Sequence, residues 1–172
     1  MAVALYDVSV PLFTHMLGAL GAVLDKGASF ASAKKVDPAV LMQSRLAPDM
    51  FPLVRQVQIA TDMSKAGVAR LSGAEAPVYA DEEQTIDEAK ARIAKTLDFI
   101  KSVPAEKINA AADKPVAFEI GPKDNRRELK FENGAAFLTR WVIPNFTFHC
   151  TTAYDILRHN GVELGKRDFL GM

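Results

Sequence analysis

Two side chains one helical turn apart, Asn145 and His149, carry the chain's best claim to chemistry. They lie in FLTRWVIPNFTFHCTTAYDILRHNG, residues 137–161, which reads as one long helix. Leu138, Val142, Asn145, His149, Thr152 and Ile156 recur there at spacings of three and four. At about 3.6 residues per turn these six share one stripe. The stripe is apolar at its ends and polar in its middle, so an amide and an imidazole are expected to face a bundle interior. A neutral imidazole can ligate a metal, take a proton or accept a hydrogen bond. Gln58 and Asp62, on an earlier helix, are candidate partners. A buried Gln–Asn–His cluster can also be satisfied by hydrogen bonds alone.

Several other chemistries are excluded by pattern. The chain has no Gly-rich phosphate loop, no G-x-S-x-G, no C-x-x-C and no HEXXH. No Glu-x-x-His pair of the ferritin type occurs. Cys150 directly follows His149, so on a helix the two side chains diverge by about 100° and do not form a catalytic pair.

The elements that must position these residues are set by apolar period and punctuation. A first helix is expected over Val10–Lys26, with Val10, Phe13, Leu17, Leu20 and Leu24 as its seam and Gly27-Ala28-Ser29 loosening its end. His15 points away from that seam, with Leu12 and Met16 on or near the same outer side. A short helix capped by Asp37 runs to near Leu46. A second long helix spans Asp49–Ser72, with Phe51, Val54, Val57 and Val68 as its apolar face and Gly73 as its stop. Thr61, Asp62 and Lys65 read as a solvated edge of it. Thr85 followed by Glu88 forms a capping box for a third helix over Ile86–Val103, and a short turn runs from Pro104 to about Ala111. Residues 115–120 and 128–131 have strand character around a turn-rich segment, so a hairpin is expected, with Phe118 and Phe131 over one end of the bundle. The last helix spans Ala135–Asn160, bent by Pro144 and ended at Gly161. The tail is too short for an element and is expected to pack through Phe169 and Leu170. The result is an all-α four-helix bundle with a small β-hairpin insertion before the last helix, one domain over residues 1–172.

Composition bounds the partners. The 172 residues suffice for one core, and 21 basic against 21 acidic residues leave a net charge of zero. Without a basic cluster, neither nucleic acid nor a membrane surface is an expected partner. A single cysteine forbids an intramolecular disulfide and suits a reducing compartment. The start, MAVALYDVSVPLF, places Asp7 in its apolar stretch and does not look like a signal peptide. A cytoplasmic protein is expected.

The organising helix resembles that of the DinB/YfiT-like superfamily, four-helix bundles with a metal site. Their last bundle helix carries H-x-x-x-H, and about two turns later L-R and then Gly. In NFTFHCTTAYDILRHNG, His149 falls on the second histidine, Leu157-Arg158 on the L-R pair and Gly161 on the glycine. The resemblance puts Asn145 at the first histidine. It puts Gln58 nearest the third ligand, a histidine on helix two, with Asp62 one turn on. The whole sequence is similar to a bacterial branch of unknown function, through QVQIATD in helix two and GKRDFLG at the end.

Two of three implied metal ligands are thus neutral amides, which bind zinc or nickel weakly. The expectation is a degenerate metal site without a resident metal, in a small-ligand-binding or dimeric scaffold protein. The alternative implied by the resemblance is a thiol (S-)transferase using a divalent metal, zinc or nickel. His149 would be a ligand there, completed by Gln58, Asp62 or Asn145. A homodimer is expected through the outer face of helix one around Leu12, His15 and Met16.

Overall fold

The computed structural model describes residues 3–122 and 124–172. Four long helices form the bundle: α1 (Val10–Lys34), α3 (Leu53–Ser72), α4 (Ile86–Ser102) and α7 (Ile143–His159). Shorter pieces join them: α2 (Pro38–Gln43), α5 (Ala105–Asn109), α6 (Gly134–Phe137) and, near the C-terminus, α8 (Lys166–Phe169). α3 packs between α7 and α4, and α1 packs against α4 and α7, so α1 and α3 lie across the bundle from one another. Strands β1 (Val116–Ile120) and β2 (Arg127–Phe131) pair antiparallel, with Phe118 opposite Leu129. Phe118 stacks on Phe131, and both meet the Phe137 ring edge-on at 5.5 Å, closing one end of the core as expected.

Where the sequence carries explicit caps, the helices begin at them. The Asp37 carboxylate accepts from Ala39 N–H at 2.9 Å. Thr85 and Glu88 form the reciprocal box at the start of α4. α3 ends at Gly73, whose φ of 72° is the left-handed conformation glycine adopts freely.

Several boundaries differ from these expectations; α2, for one, ends at Gln43 rather than near Leu46. α1 runs eight residues past Lys26, because Gly27 is buried against Leu157 and Ala31 is buried further on. Tertiary packing there overrides the weak helix propensity of glycine. α3 starts at Leu53, not Asp49, because a residue before proline is pushed out of the helical region. Phe51, preceding Pro52, stays outside the helix and is 56% exposed rather than part of its apolar face. The tail does form a turn of helix, α8. Phe169 packs edge-on to Tyr154 at 5.9 Å, whereas Leu170 stays largely exposed.

The last helix is interrupted as Pro144 leads one to expect, but by a π-helical turn over Leu138–Val142. Ile143 N–H reaches back five residues to Leu138 O. α3 approaches this turn closely at Gly67, where a Cβ would lie 2.6 Å from Val142 Cγ1. Gly67→Ala should therefore lower the urea midpoint. Overpacking there costs about 1–3 kcal/mol, against a gain of about 1 kcal/mol from helix propensity. Adding Val142→Ala should give a double variant that loses less stability than the two single changes summed.

Candidate functional site

α7 places His149 between two buried neighbours that anchor its register. Phe146 packs edge-on to Phe13 at 4.8 Å, and Cys150 is buried on the other flank. His149 Nδ1 lies 2.7 Å from Gln56 Oε1 on α3. Gln56 is itself buried, and its Nε2 donates to Phe51 O at 2.9 Å. That second bond orients the amide, so Oε1 is the acceptor and the ring carries its hydrogen on Nδ1. Nε2 then holds a lone pair with no hydrogen-bond partner among the described residues. Every buried side-chain N or O among them is paired, so Nε2 opens to solvent. Phe148 stands edge-on to the ring at 5.2 Å.

Burial, and then the positive charge of Arg55, hold the His149 pKa down at about 4. The ring is therefore neutral at physiological pH, a hydrogen-bond acceptor at Nε2. Burial pushes the Cys150 thiol up to about 12, so it is neither a thiolate nucleophile nor a ready metal ligand.

The other expected residues have different partners. Asn145 Nδ2 donates to Trp141 O at 2.7 Å, a carbonyl of the interrupted part of its own helix. Gln58 is buried on the α4 side of α3. It donates to Glu83 Oε2 at 2.9 Å and accepts from Arg55 Nη1 at 3.0 Å. Asp62 Oδ1 accepts from Arg92 Nη2 and from Lys65 Nζ, both at 2.9 Å. These hydrogen bonds join neither Gln58 nor Asp62 to His149. Gln56 takes that place, two residues from Gln58 and so about 200° around the helix. Counting back from Gly73 selects the wrong one of the two glutamines in QVQ for this contact. The readable signal is that Gln56 shares a stripe with Met63 and Gly67, the side of α3 that meets Val142.

Of the expected solvated edge Thr61, Asp62 and Lys65, only Asp62 keeps substantial exposure, 34% of its side chain. Thr61 and Lys65 are buried under the strap 74–85, with Lys65 Nζ 3.8 Å from the Tyr79 ring centre. Arg92 completes this cluster, donating to Thr61 Oγ1 at 2.8 Å and to Glu83.

The donors around His149 do not fit a tightly held zinc or nickel. One imidazole nitrogen is free, the Gln56 oxygen already accepts from the same ring, and the Asp62 carboxylate is taken by two cations. Among the described residues no three His, Cys, Asp or Glu side chains come together as a metal-binding group.

His149 binds a proton more weakly in the folded chain, near pH 4, than at its ordinary value of 6.5. As pH falls through that window the unfolded chain takes up the proton first, so acid favours unfolding. The stabilising contribution is complete above about 6.5 and is lost towards 4. Urea unfolding at pH 7 and at pH 5 should show a smaller acid loss for His149→Gln than for the wild type.

Comparison with known proteins agrees with this architecture. Residues 5–170 match the family model described as a domain of unknown function, DUF1993. No curated protein matches. The chain is similar to a solved structure, a DinB family member protein from Shewanella denitrificans, at 46% identity and a TM-score of 0.84. The match covers 98% of this chain and 92% of that one. The chain therefore belongs to the DUF1993 family, a DinB-like four-helix bundle of unknown function.

Proposed function

We propose that the protein is a non-catalytic DinB-like bundle in which a polar ligand site replaces the metal site, working as a cytoplasmic homodimer. The observation that carries this reading is the His149–Gln56–Phe51 relay. It holds the ring in one tautomer and presents a neutral Nε2 acceptor to solvent. A small molecule with an O–H or N–H donor is suited to that atom. The exposed rings of Phe51 and Phe148 and the Arg55 guanidinium, 5.9 Å from the Phe51 ring centre, are available to flank it. Of the other residues expected at the site, Asn145, one turn before His149 on the same helix, is a candidate for contact at its edge, whereas Gln58 and Asp62 are engaged in the charge cluster on the α4 side.

The rival reading is a divalent-metal thiol transferase with His149 as a ligand. It is favoured by the open Nε2 and opposed by the scarcity of anionic donors beside it. Thermal melts with and without zinc or nickel separate the two. On our reading metal leaves the melting temperature unchanged, and His149→Ala costs about 1–3 kcal/mol by unpairing Gln56. A metal site held at 100-fold excess over its Kd would instead stabilise the wild type by about 2.7 kcal/mol. That gain would be absent in His149→Ala, and elemental analysis would find the metal.

The single buried Cys150 is consistent with a reducing compartment, and no helix among the described residues is long and apolar enough to cross a membrane. On α1, Leu12 and Met16 are half-buried against the core, and His15 Nε2 is bonded to Leu170 O at 2.7 Å. A dimer through that face must therefore pack on α1 and the docked tail together. Light scattering over a range of concentrations should return twice the chain mass of 18.7 kDa, and a constant monomer mass would refute the dimer.

A further inference from the structure

A cavity lies where α3 meets the π turn that leads into α7, beside the hairpin and away from the His149–Gln56 bond. Its volume is about 120 Å³. Its walls are Met63 and Gly67 of α3, Phe118 of β1, Phe137 and Trp141. An apolar cavity of about 150 Å³ holds a benzene molecule, so this space, open at one side, is of the size of a single ring. Trp141 and Phe118 pack edge-on against each other, centroids 6.2 Å apart at 61°, and together form an aromatic wall of the cavity.

The charges at its rim are unequal. Asp62 contributes a carboxylate, but both Arg92 and Lys65 bond to its Oδ1. Arg70 lies over the Phe118 ring with its guanidinium carbon 4.3 Å from the centre. Its one hydrogen bond is a long contact of 3.4 Å to Ala66 O in its own helix, and no carboxylate pairs with it among the described residues. Arg70 is an exposed residue, and the partial covering of its guanidinium pulls its pKa down. Arginine presents a planar fork that carboxylates match with two parallel hydrogen bonds. The cavity is thus aromatic within and cationic at its mouth.

We propose that this cavity binds a small aromatic carboxylate, its ring among Phe118, Phe137 and Trp141 and its carboxylate on Arg70. The site uses no atom of His149 and stands independently of the function proposed above.

Trp141 is the only tryptophan in the chain, so its fluorescence reports on this wall alone. Benzoate titrated into the full-length protein should change that fluorescence saturably. Benzylamine, the cation of similar shape, should bind at least tenfold more weakly. Arg70→Gln, an exposed change checked for native circular dichroism, should weaken benzoate at least tenfold, and Arg70→Lys should restore part of the loss. His149→Ala should leave benzoate affinity unchanged. The proposal is overturned if benzoate gives no saturable response up to its solubility, if Arg70→Gln binds it as the wild type does, or if benzylamine binds as well as benzoate. Loss of binding in His149→Ala would also overturn it, by moving the ligand to the His149 site.

Discussion

A guanidinium taken out of water must be surrounded by acceptors, and Arg92 sets that demand where the strap 74–85 covers α3 and α4. Its side chain is 2% exposed. Burial opposes its charge, but the Glu83 hydrogen bond and the charges of Asp62, Glu83 and Asp81 outweigh that and raise its pKa. Three of its partners, Ala80 O, Asp81 and Glu83, lie on the strap 74–85, so the ion pairs hold an otherwise irregular segment against α3 and α4. Removing one partner would leave the rest desolvated and uncompensated, which is why such clusters resist piecemeal change. The influence continues outward. Asp81, held by Arg92, also binds Arg55, and Arg55 is one of the two causes that keep His149 neutral.

α3 is therefore a helix with two polar faces serving different ends. Gln56 looks to α7 and settles the histidine tautomer. Gln58, two positions on, looks to the strap and joins the charge cluster through Glu83 and Arg55. The seam between α3 and α7 then carries a polar acceptor, and an aromatic cavity lies beyond it where α3 meets the π turn. Gly67, in the cavity wall, is what allows α3 to close on Val142 of the π turn.

The fold was largely legible because its signals are local and redundant. The seam of α1, the caps at Asp37 and Thr85 and the stop at Gly73 each act within a few residues of themselves. The site was less so. Assigning Gln58 to His149 required the rotation of α3 to within a fraction of a turn, and a chain position counted from the helix end does not fix that. Lys65 and Thr61 looked solvated because nothing in QVQIATDMSK shows that a strap fifteen residues later will cover them. Gly27 looked like a break because its burial against Leu157 is a contact across 130 residues. In each case the missing knowledge was of a distant partner rather than of local preference.

The Gln56 amide has one more consequence, for the entropy of binding. Fixing a mobile side chain on association costs about 0.5–1.5 kcal/mol. The His149 ring is fixed beforehand: a buried amide holds its Nδ1, a backbone carbonyl holds that amide, and the carbonyl belongs to the residue before a proline. None of these groups is free to turn alone. A partner meeting Nε2 encounters an acceptor already aimed, and the ordering it would otherwise have imposed was completed when the chain folded.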